Sequence, residues 1–333
     1  MKLLSICDPN SYKRPSLDIP IYYQQLARDT RVESFHLPTE EVVTAKDFPP
    51  KLQVASVTGE LSYKGFLNLG ALVNQEVALT EMDLVFCRTL KPFPPGYLDT
   101  LARWEKQVKF VNSPKGIREQ IQPDFLLKVA RKYIPEMIIT GDWREALAFF
   151  EQQQIVVAKQ SNSCGGRGVF KIYYQNNCFH VDNLFLGTKE FDDFVKVMNY
   201  LQGTNKDPLQ FVHYLKRVDA GDKRIVVVDG EIYGAYIRRS QSGHWVHNVS
   251  GDGECSLAEI SEGEKEAIAN TFEYYHNRGI HTLGYDFLLN EDNNWCISEI
   301  NAGNVGGFSR LEQLTNKAVM NQLISWLIEF TNR

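Results

Sequence analysis

The chain has 333 residues, 43% of them hydrophobic and 23% charged, with a formal net charge of −5. That length exceeds one small core and implies two or three domains or subdomains of an ordinary soluble protein. The acidic balance gives no footprint for nucleic acid, and no apolar run approaches the length that spans a bilayer, so neither partner is expected. The six cysteines, Cys7, Cys87, Cys164, Cys178, Cys255 and Cys296, are scattered without a CxxC pair. They read as reduced thiols of a cytoplasmic protein.

The opening MKLLSICDPN breaks its short apolar run at Asp8 and Pro9, as a first strand does and a signal peptide does not. A helical pattern follows around Ile21–Arg28, then a strand near Val32–Leu37 and a buried strand at Met82–Thr89, ended by Pro92, Pro94 and Pro95. The helix YLDTLARWEKQ and the short strand KFVNSP complete an α/β domain, residues 1–118, with a largely parallel sheet. Residues 119–215 form a second unit: a helix from Ile121 to Ile134, a helix at Asp142–Gln153, the strand IVVAKQ, a glycine-rich turn, the strand FKIYY and the strand-like LQFVHYL. Residues 216–333 form the third: a hairpin around the turn dipeptide Asp229-Gly230, a polar loop at Gln241–Glu254, a helix at Glu262–Arg278, two strands and a closing helix at Thr315–Phe330.

Three segments carry chemistry. In VVAKQSNSCGGRGVF, Lys159 ends a strand and Gly165, Gly166, Arg167 and Gly168 occupy the next turn. Glycines let backbone N–H groups approach phosphate oxygens, and the lysine adds a point charge. The spacing fits neither GxxxxGK[ST] nor GxGxxG, so the loop is a flexible lid over a nucleotide or a plain tight hairpin. In GDKRIVVVDGEIYG, Arg224 stands at the mouth of a strand, where a guanidinium bridges a phosphoryl group or carboxylate bidentately, or makes an ordinary salt bridge. In LGYDFLLNEDNNWCISEIN, Glu299 and Asn301 share one strand face, and pairing across the Asn290–Asn294 turn can bring Asp286 beside them. Two carboxylates and an amide oxygen suit Mg²⁺, which keeps room for substrate phosphates; a solvated acidic hairpin is the other reading. At the carboxyl ends of the strands, where α/β domains gather ligands, Arg14, Arg88 and Arg310 are candidates to hold substrate carboxylates.

Taken in order, DLVFCRTLKPFPPGYL, KFVNSPKGIR, IPEMIITGD, the glycine loop, GDKRIVVVDGEIYGAYIRR, HNVSGDGE and LGYDFLLN…ISEIN resemble the ATP-grasp superfamily, and within it the bacterial glutathione synthetases. The resemblance implies an ATP-grasp fold with an N-terminal substrate domain, a lid subdomain and a C-terminal catalytic domain. It implies a ligase for small carboxylate and amine substrates, using ATP with Mg²⁺ or Mn²⁺, assembled as a dimer or tetramer. By position, Lys159 and the glycine loop contact phosphate, Val212, His213, Tyr214 and Leu215 contact adenine, Arg224 and Asn248 face the reacting groups, and Asp286, Glu299 and Asn301 hold the metal. The chain departs from the pattern at three places. Asp124 or Phe125 stands where a family lysine is expected, with Lys128 nearby; Val246 replaces an arginine, with His247 adjacent; and the segment after EIN is AGNVGGFSRLEQ instead of one with serine, proline and threonine. Other readings are a related ligase with different substrates, a non-catalytic nucleotide-binding relative as in synapsin, and a simple α/β ligand-binding protein.

Overall fold

Five of the six residues of strand β1 (Lys2–Cys7) are buried, the pattern of an interior strand covered on both faces. In the computed structural model, which describes residues 1–45, 48–73, 75–161, 163, 165–204, 206–240, 243–247 and 254–333, β1 runs parallel to β2 (Glu33–Pro38) and to β5 (Leu84–Cys87). Strands β3 (Lys51–Val57), β4 (Gln75–Ala78) and β6 (Lys109–Phe110) complete a sheet of order β4-β3-β2-β1-β5-β6. The β2–β3 and β3–β4 pairings are antiparallel, so the parallel character lies in the half that holds β1, β5 and β6.

The second sheet, order β11-β10-β9-β8-β12-β7, is antiparallel throughout and comprises β7 (Met137–Thr140), β8 (Ile155–Lys159), β9 (Val169–Gln175), β10 (Cys178–Asn183), β11 (Gly187–Phe191) and β12 (Leu209–His213). Helices Trp143–Gln153 and Phe194–Gln202 cover it, giving it a core of its own around Phe150, Phe194 and Phe211. The third sheet, order β15-β14-β13-β16-β17, is also antiparallel: β13 (Asp222–Val228), β14 (Glu231–Arg239), β15 (Glu254–Leu257), β16 (Thr282–Leu289) and β17 (Trp295–Asn301). One apolar cluster joins helix Asp18–Arg28 to Val226, Phe308, Leu323 and Leu327, so the first and third units share a core.

Two expected helices are interrupted. Ile121–Ile134 shortens to Phe125–Ala130, because Pro123 disfavours helical backbone at Gln122, and an unexpected helix, Pro114–Gln120, precedes it. Thr315–Phe330 becomes Phe308–Thr315 and Val319–Thr331, broken where Asn316 takes φ 54°.

On the third sheet's helix-covered face, Lys223 and Glu264 form an ion pair at 2.8 Å with side chains 4% and 0% exposed, and Lys223 Nζ also lies 4.0 Å from the Trp295 ring centroid. Glu264→Gln keeps the volume but strands a buried cation, and should lower unfolding free energy by about 3–5 kcal/mol. Adding Lys223→Met should recover at least half of that loss in urea titrations; a single variant as stable as wild type would remove the pair from the account.

Candidate functional site

The functional face is built by register. In the β13–β14 hairpin Val227 pairs with Ile232 but Val226 pairs with Gly234, so Tyr233 is an extra residue. This bulge shifts every later pair, setting Asp222 opposite Arg238 and Arg224 opposite Tyr236. On the other side of β13, Asp286 stands opposite Arg224. A second bulge, at Ser298, sets Glu299 opposite Asp286 and Asn301 opposite Gly284. One face therefore carries Asp222, Arg224, Arg238, Asp286, Glu299 and Asn301, and it floors a cleft of about 490 Å³ between the second and third sheets, closed on one side by Ser16, Leu17, Asp18 and Lys91 of the first unit.

Asp286 is 2% exposed, and all four of its acceptor positions are filled. Oδ1 accepts from Arg224 Nε at 2.5 Å and Arg238 Nη2 at 2.7 Å; Oδ2 accepts from Arg224 Nη2 at 2.8 Å and Asn301 Nδ2 at 3.0 Å. Burial pushes the Asp286 pKa up, but the charges of Arg224 and Arg238 prevail and hold it below the ordinary range. Arg224 Nη1 donates to the Gly306 carbonyl at 3.0 Å. Gly284 makes room for that nitrogen: a Cβ there would stand 2.9 Å from it. Arg238 also bonds Asp222 Oδ2 at 2.7 Å, while Oδ1 is buried without a partner among the described residues. Burial first, then the Asp286 charge, outweigh the arginines and lift Asp222 to about 6.

Lys159 reaches the same face from β8, donating to the Ser298 carbonyl at the bulge, 3.0 Å away. Burial lowers its pKa, against the charges of Glu299, Asp222 and Asp286. Gly165 and Gly166 take φ of 64° and 79°, a region that side chains resist, and with Gly168 they line the cleft. Arg167 is exposed and lies outside the lining; its carbonyl accepts from Asn183, which also binds the Val169 carbonyl. Val212, His213, Tyr214 and Leu215 line the opposite wall. The N–H groups of His213 and Tyr214 are donated to Glu136 and Ile155, leaving carbonyls and side chains of those two residues for a base.

The three candidate substrate arginines separate. Arg310 lines the cleft. Arg88 is 1% exposed and lies under the loop after β17, donating to the Val305 carbonyl at 2.8 Å with the Phe86 ring 4.7 Å away. The expected direct contact with substrate gives way to support of the cleft wall, because β5 is interior and that loop covers its end. Arg14 is half-buried outside the lining. Lys128 is exposed in an ion pair with Asp124 and away from the cleft. Asn248 lies outside the described residues; nearby Val246 and His247 line the cleft. The roles of Arg238, Asp222 and Asp18 were not legible in the sequence. Asp18 receives the N–H groups of Gly307 and Ser309, both at 2.7 Å, and so fixes the segment after β17.

Glu299 is exposed toward the cleft, and Asn301, donating through Nδ2, keeps Oδ1 as an oxygen ligand. This oxygen-only set fits a hard divalent cation. Asp286 joins it only when an arginine turns away, since its lone pairs are engaged.

Residues 125–316 match the family described as prokaryotic glutathione synthetase, ATP-grasp domain. Similar curated proteins include the glutathione synthetases of Parasynechococcus marenigrum, 24% identical over 98% of this chain and 99% of that protein, and of Prochlorococcus marinus subsp. pastoris, 25% identical over 77% and 78%. Among solved structures, D-cycloserine synthetase DcsG superposes with a TM-score of 0.64 over 96% of both chains at 11% identity. The ATP-grasp ligase PsnB gives 0.61 over 99% of this chain and 98% of its own at 16% identity. The fold is ATP-grasp, as the sequence resemblance implies.

Because Asp222 is raised, its ionised form is the destabilised one: its contribution is fully present below the unfolded pKa and is lost as pH rises through about 6. Asp222→Asn removes that titration. The variant's stability relative to wild type should rise between pH 4 and pH 8, by up to about 3 kcal/mol. A pH-independent difference in unfolding free energy would contradict the burial of this carboxylate.

Proposed function

The chain belongs to the prokaryotic glutathione synthetase ATP-grasp family and is an ATP-dependent ligase; from that premise we propose that it joins a small carboxylate to an amine through an acyl phosphate, with γ-glutamylcysteine and glycine as substrates. The observation that carries this reading is the convergence of Arg224, Arg238, Lys159, Glu299 and Asn301 on one cleft floor beneath a glycine loop.

Phosphoryl transfer needs little covalent help from a protein and much positioning and charge. Lys159 and the glycine loop hold the terminal phosphates. Arg224 and Arg238 turn part of their donor set from Asp286 toward the group in flight as the carboxylate oxygen attacks the γ-phosphorus and ADP leaves. The amine then attacks the acyl carbon, inorganic phosphate departs, and an amide remains. Glu299 and Asn301, with Asp286, would hold a divalent cation, Mg²⁺ by their oxygen-only donor set, and when bound it would supply charge neutralisation to the phosphates. Arg310 meets the acidic substrate, while Arg88 and Asp18 fix the segment that carries it. Asn248 is assigned near the reacting groups on family position alone. Cys7, Cys87, Cys178 and Cys296 are free thiols, which suits a reducing cytoplasm.

A related ligase with another acid is the second reading, favoured by one observation. In the segment after β17 the carbonyls of Val305 and Gly306 and the N–H groups of Gly307 and Ser309 are all bound within the protein. Acceptor recognition then rests on side chains, which differ from the family pattern.

ADP release should require both γ-glutamylcysteine and glycine, and the product mass should equal their sum less water. Release with a different acid and amine would transfer the assignment to the second reading; ATP binding without turnover on any pair would refute ligase activity. Glu299→Gln should lower kcat about a hundredfold or more, roughly 3 kcal/mol of barrier, without shifting Tm. Near-normal turnover at ordinary Mg²⁺ would remove Glu299 from the metal set.

A further inference from the structure

The end of the third sheet remote from the cleft carries a second constellation. Asp229 sits in the β13–β14 turn, His276 ends helix Glu262–His276, and His281 immediately precedes β16. Asp229 Oδ1 is 3.0 Å from His281 Nδ1 and 3.6 Å from His276 Nε2, and one ligand atom from each residue lies within 4.8 Å of the others. A metal with bonds of about 2.0–2.1 Å to nitrogen and oxygen sets adjacent ligands about 2.9–3.4 Å apart in octahedral or tetrahedral geometry. The three side chains meet that spacing with small rotations.

Supporting contacts already orient the group. Arg333 Nη1 binds Asp229 Oδ2 at 2.5 Å, leaving Oδ1 for the histidines; a ligating carboxylate is commonly held this way. The His281 ring packs on Phe330 and Trp326 of the C-terminal helix, with centroids 4.6 and 6.4 Å away. The backbone N–H of His281 donates to Asn112 Oδ1 at 2.9 Å, and the His281 carbonyl accepts from the Asp229 backbone N–H at 2.7 Å. His281 is half-buried or more and its pKa is lowered, chiefly by burial, which keeps the imidazole neutral as a ligand must be. The side chain of His276 is 48% exposed, so one side of the group opens to solvent. Asp229 is five residues along β13 from Arg224, about 17 Å at strand rise, so the group is separate from the cleft.

We propose that Asp229, His276 and His281 form a binding site for a late first-row divalent cation, Zn²⁺ by its two-nitrogen, one-oxygen donor set. Binding moves the ring proton of His281 from Nδ1, where it faces Asp229 Oδ1, to Nε2, so that Nδ1 and Oδ1 both turn their lone pairs to the metal and the imidazole stays neutral. It staples the end of helix Glu262–His276 to the β13–β14 turn and to the C-terminal helix that Arg333 follows.

The test uses the full chain, stripped with a chelator and dialysed against Zn²⁺ with excess Mg²⁺ present to occupy hard oxygen sites. Wild type should retain one more Zn²⁺ per chain than His276→Ala, and Zn²⁺ should raise the Tm of wild type but not of that variant. His276→Ala removes a half-exposed side chain, so it should fold, and without Zn²⁺ it should match wild type in both Tm and ligase rate. His281→Gln, where it folds, should lose the Zn²⁺ response as well. Co²⁺ in place of Zn²⁺ should give ligand-field bands without a thiolate charge-transfer band. Equal Zn²⁺ uptake by wild type and His276→Ala would overturn the proposal. So would a thiolate band, which would put the ion on the Cys178, His180 and Glu190 group of β10 and β11.

Discussion

The carboxylate of Asp286, buried between two arginines, is the interaction on which the rest of the cleft depends. An ionised carboxyl at that depth is strongly disfavoured unless it is paired and fully hydrogen-bonded, and here four donors meet it. The converse matters as much. Arg224 is itself a buried cation and Arg238 a largely buried one; Asp286 is the main counter-charge of Arg224 and, after Asp222, of Arg238. A protein that must receive a highly anionic nucleotide and a developing phosphoryl group needs cations that are already oriented and dry. In the proposed mechanism the Asp286 clasp keeps them so until the phosphates compete for the same donors.

The clasp also joins the two ends of the reaction. Arg224 uses its third nitrogen on Gly306, in the segment that Asp18 grips through Gly307 and Ser309 and that Arg88 grips through Val305. Lys159, from the second sheet, bonds the carbonyl of Ser298 on the strand that carries Glu299. The groups proposed to bind phosphate and those proposed to bind the acceptor therefore share backbone neighbours. A change at the start of helix Asp18–Arg28, such as loss of Asp18, would reach the cleft floor through this segment.

Much of this was legible in the sequence, and what was not has a physical cause. The alternation in WCISEIN placed Glu299 and Asn301 on one face, and the turn at Asn290–Asn294 returned the chain so that Asp286 met them. Lys159 and the glycines could be recognised as phosphate-binding types at a strand end. The partner of Asp222 could not. Counting back evenly from the Asp229-Gly230 turn pairs Asp222 with Ile237, and only the extra residue at Tyr233 makes Arg238 its neighbour. Bulges of this kind have no reliable local signature. Arg88 misled for a different reason: a strand-end arginine is usually at a surface, and its burial here depends on a loop more than two hundred residues away covering that end. The helix breaks at Pro123 and Asn316 were weak local signals inside long amphipathic patterns.

In the proposed reaction the cleft activates a carboxylate by moving a phosphoryl group onto it. The most direct test supplies γ-glutamylcysteine with ¹⁸O in its carboxylates, together with ATP, Mg²⁺ and glycine, and analyses the released inorganic phosphate by mass. Transfer through an acyl phosphate predicts that each phosphate carries a single ¹⁸O taken from the substrate. Turnover that yields unlabelled phosphate would contradict the claim, because phosphate would then have left ATP without ever bonding to the carboxylate.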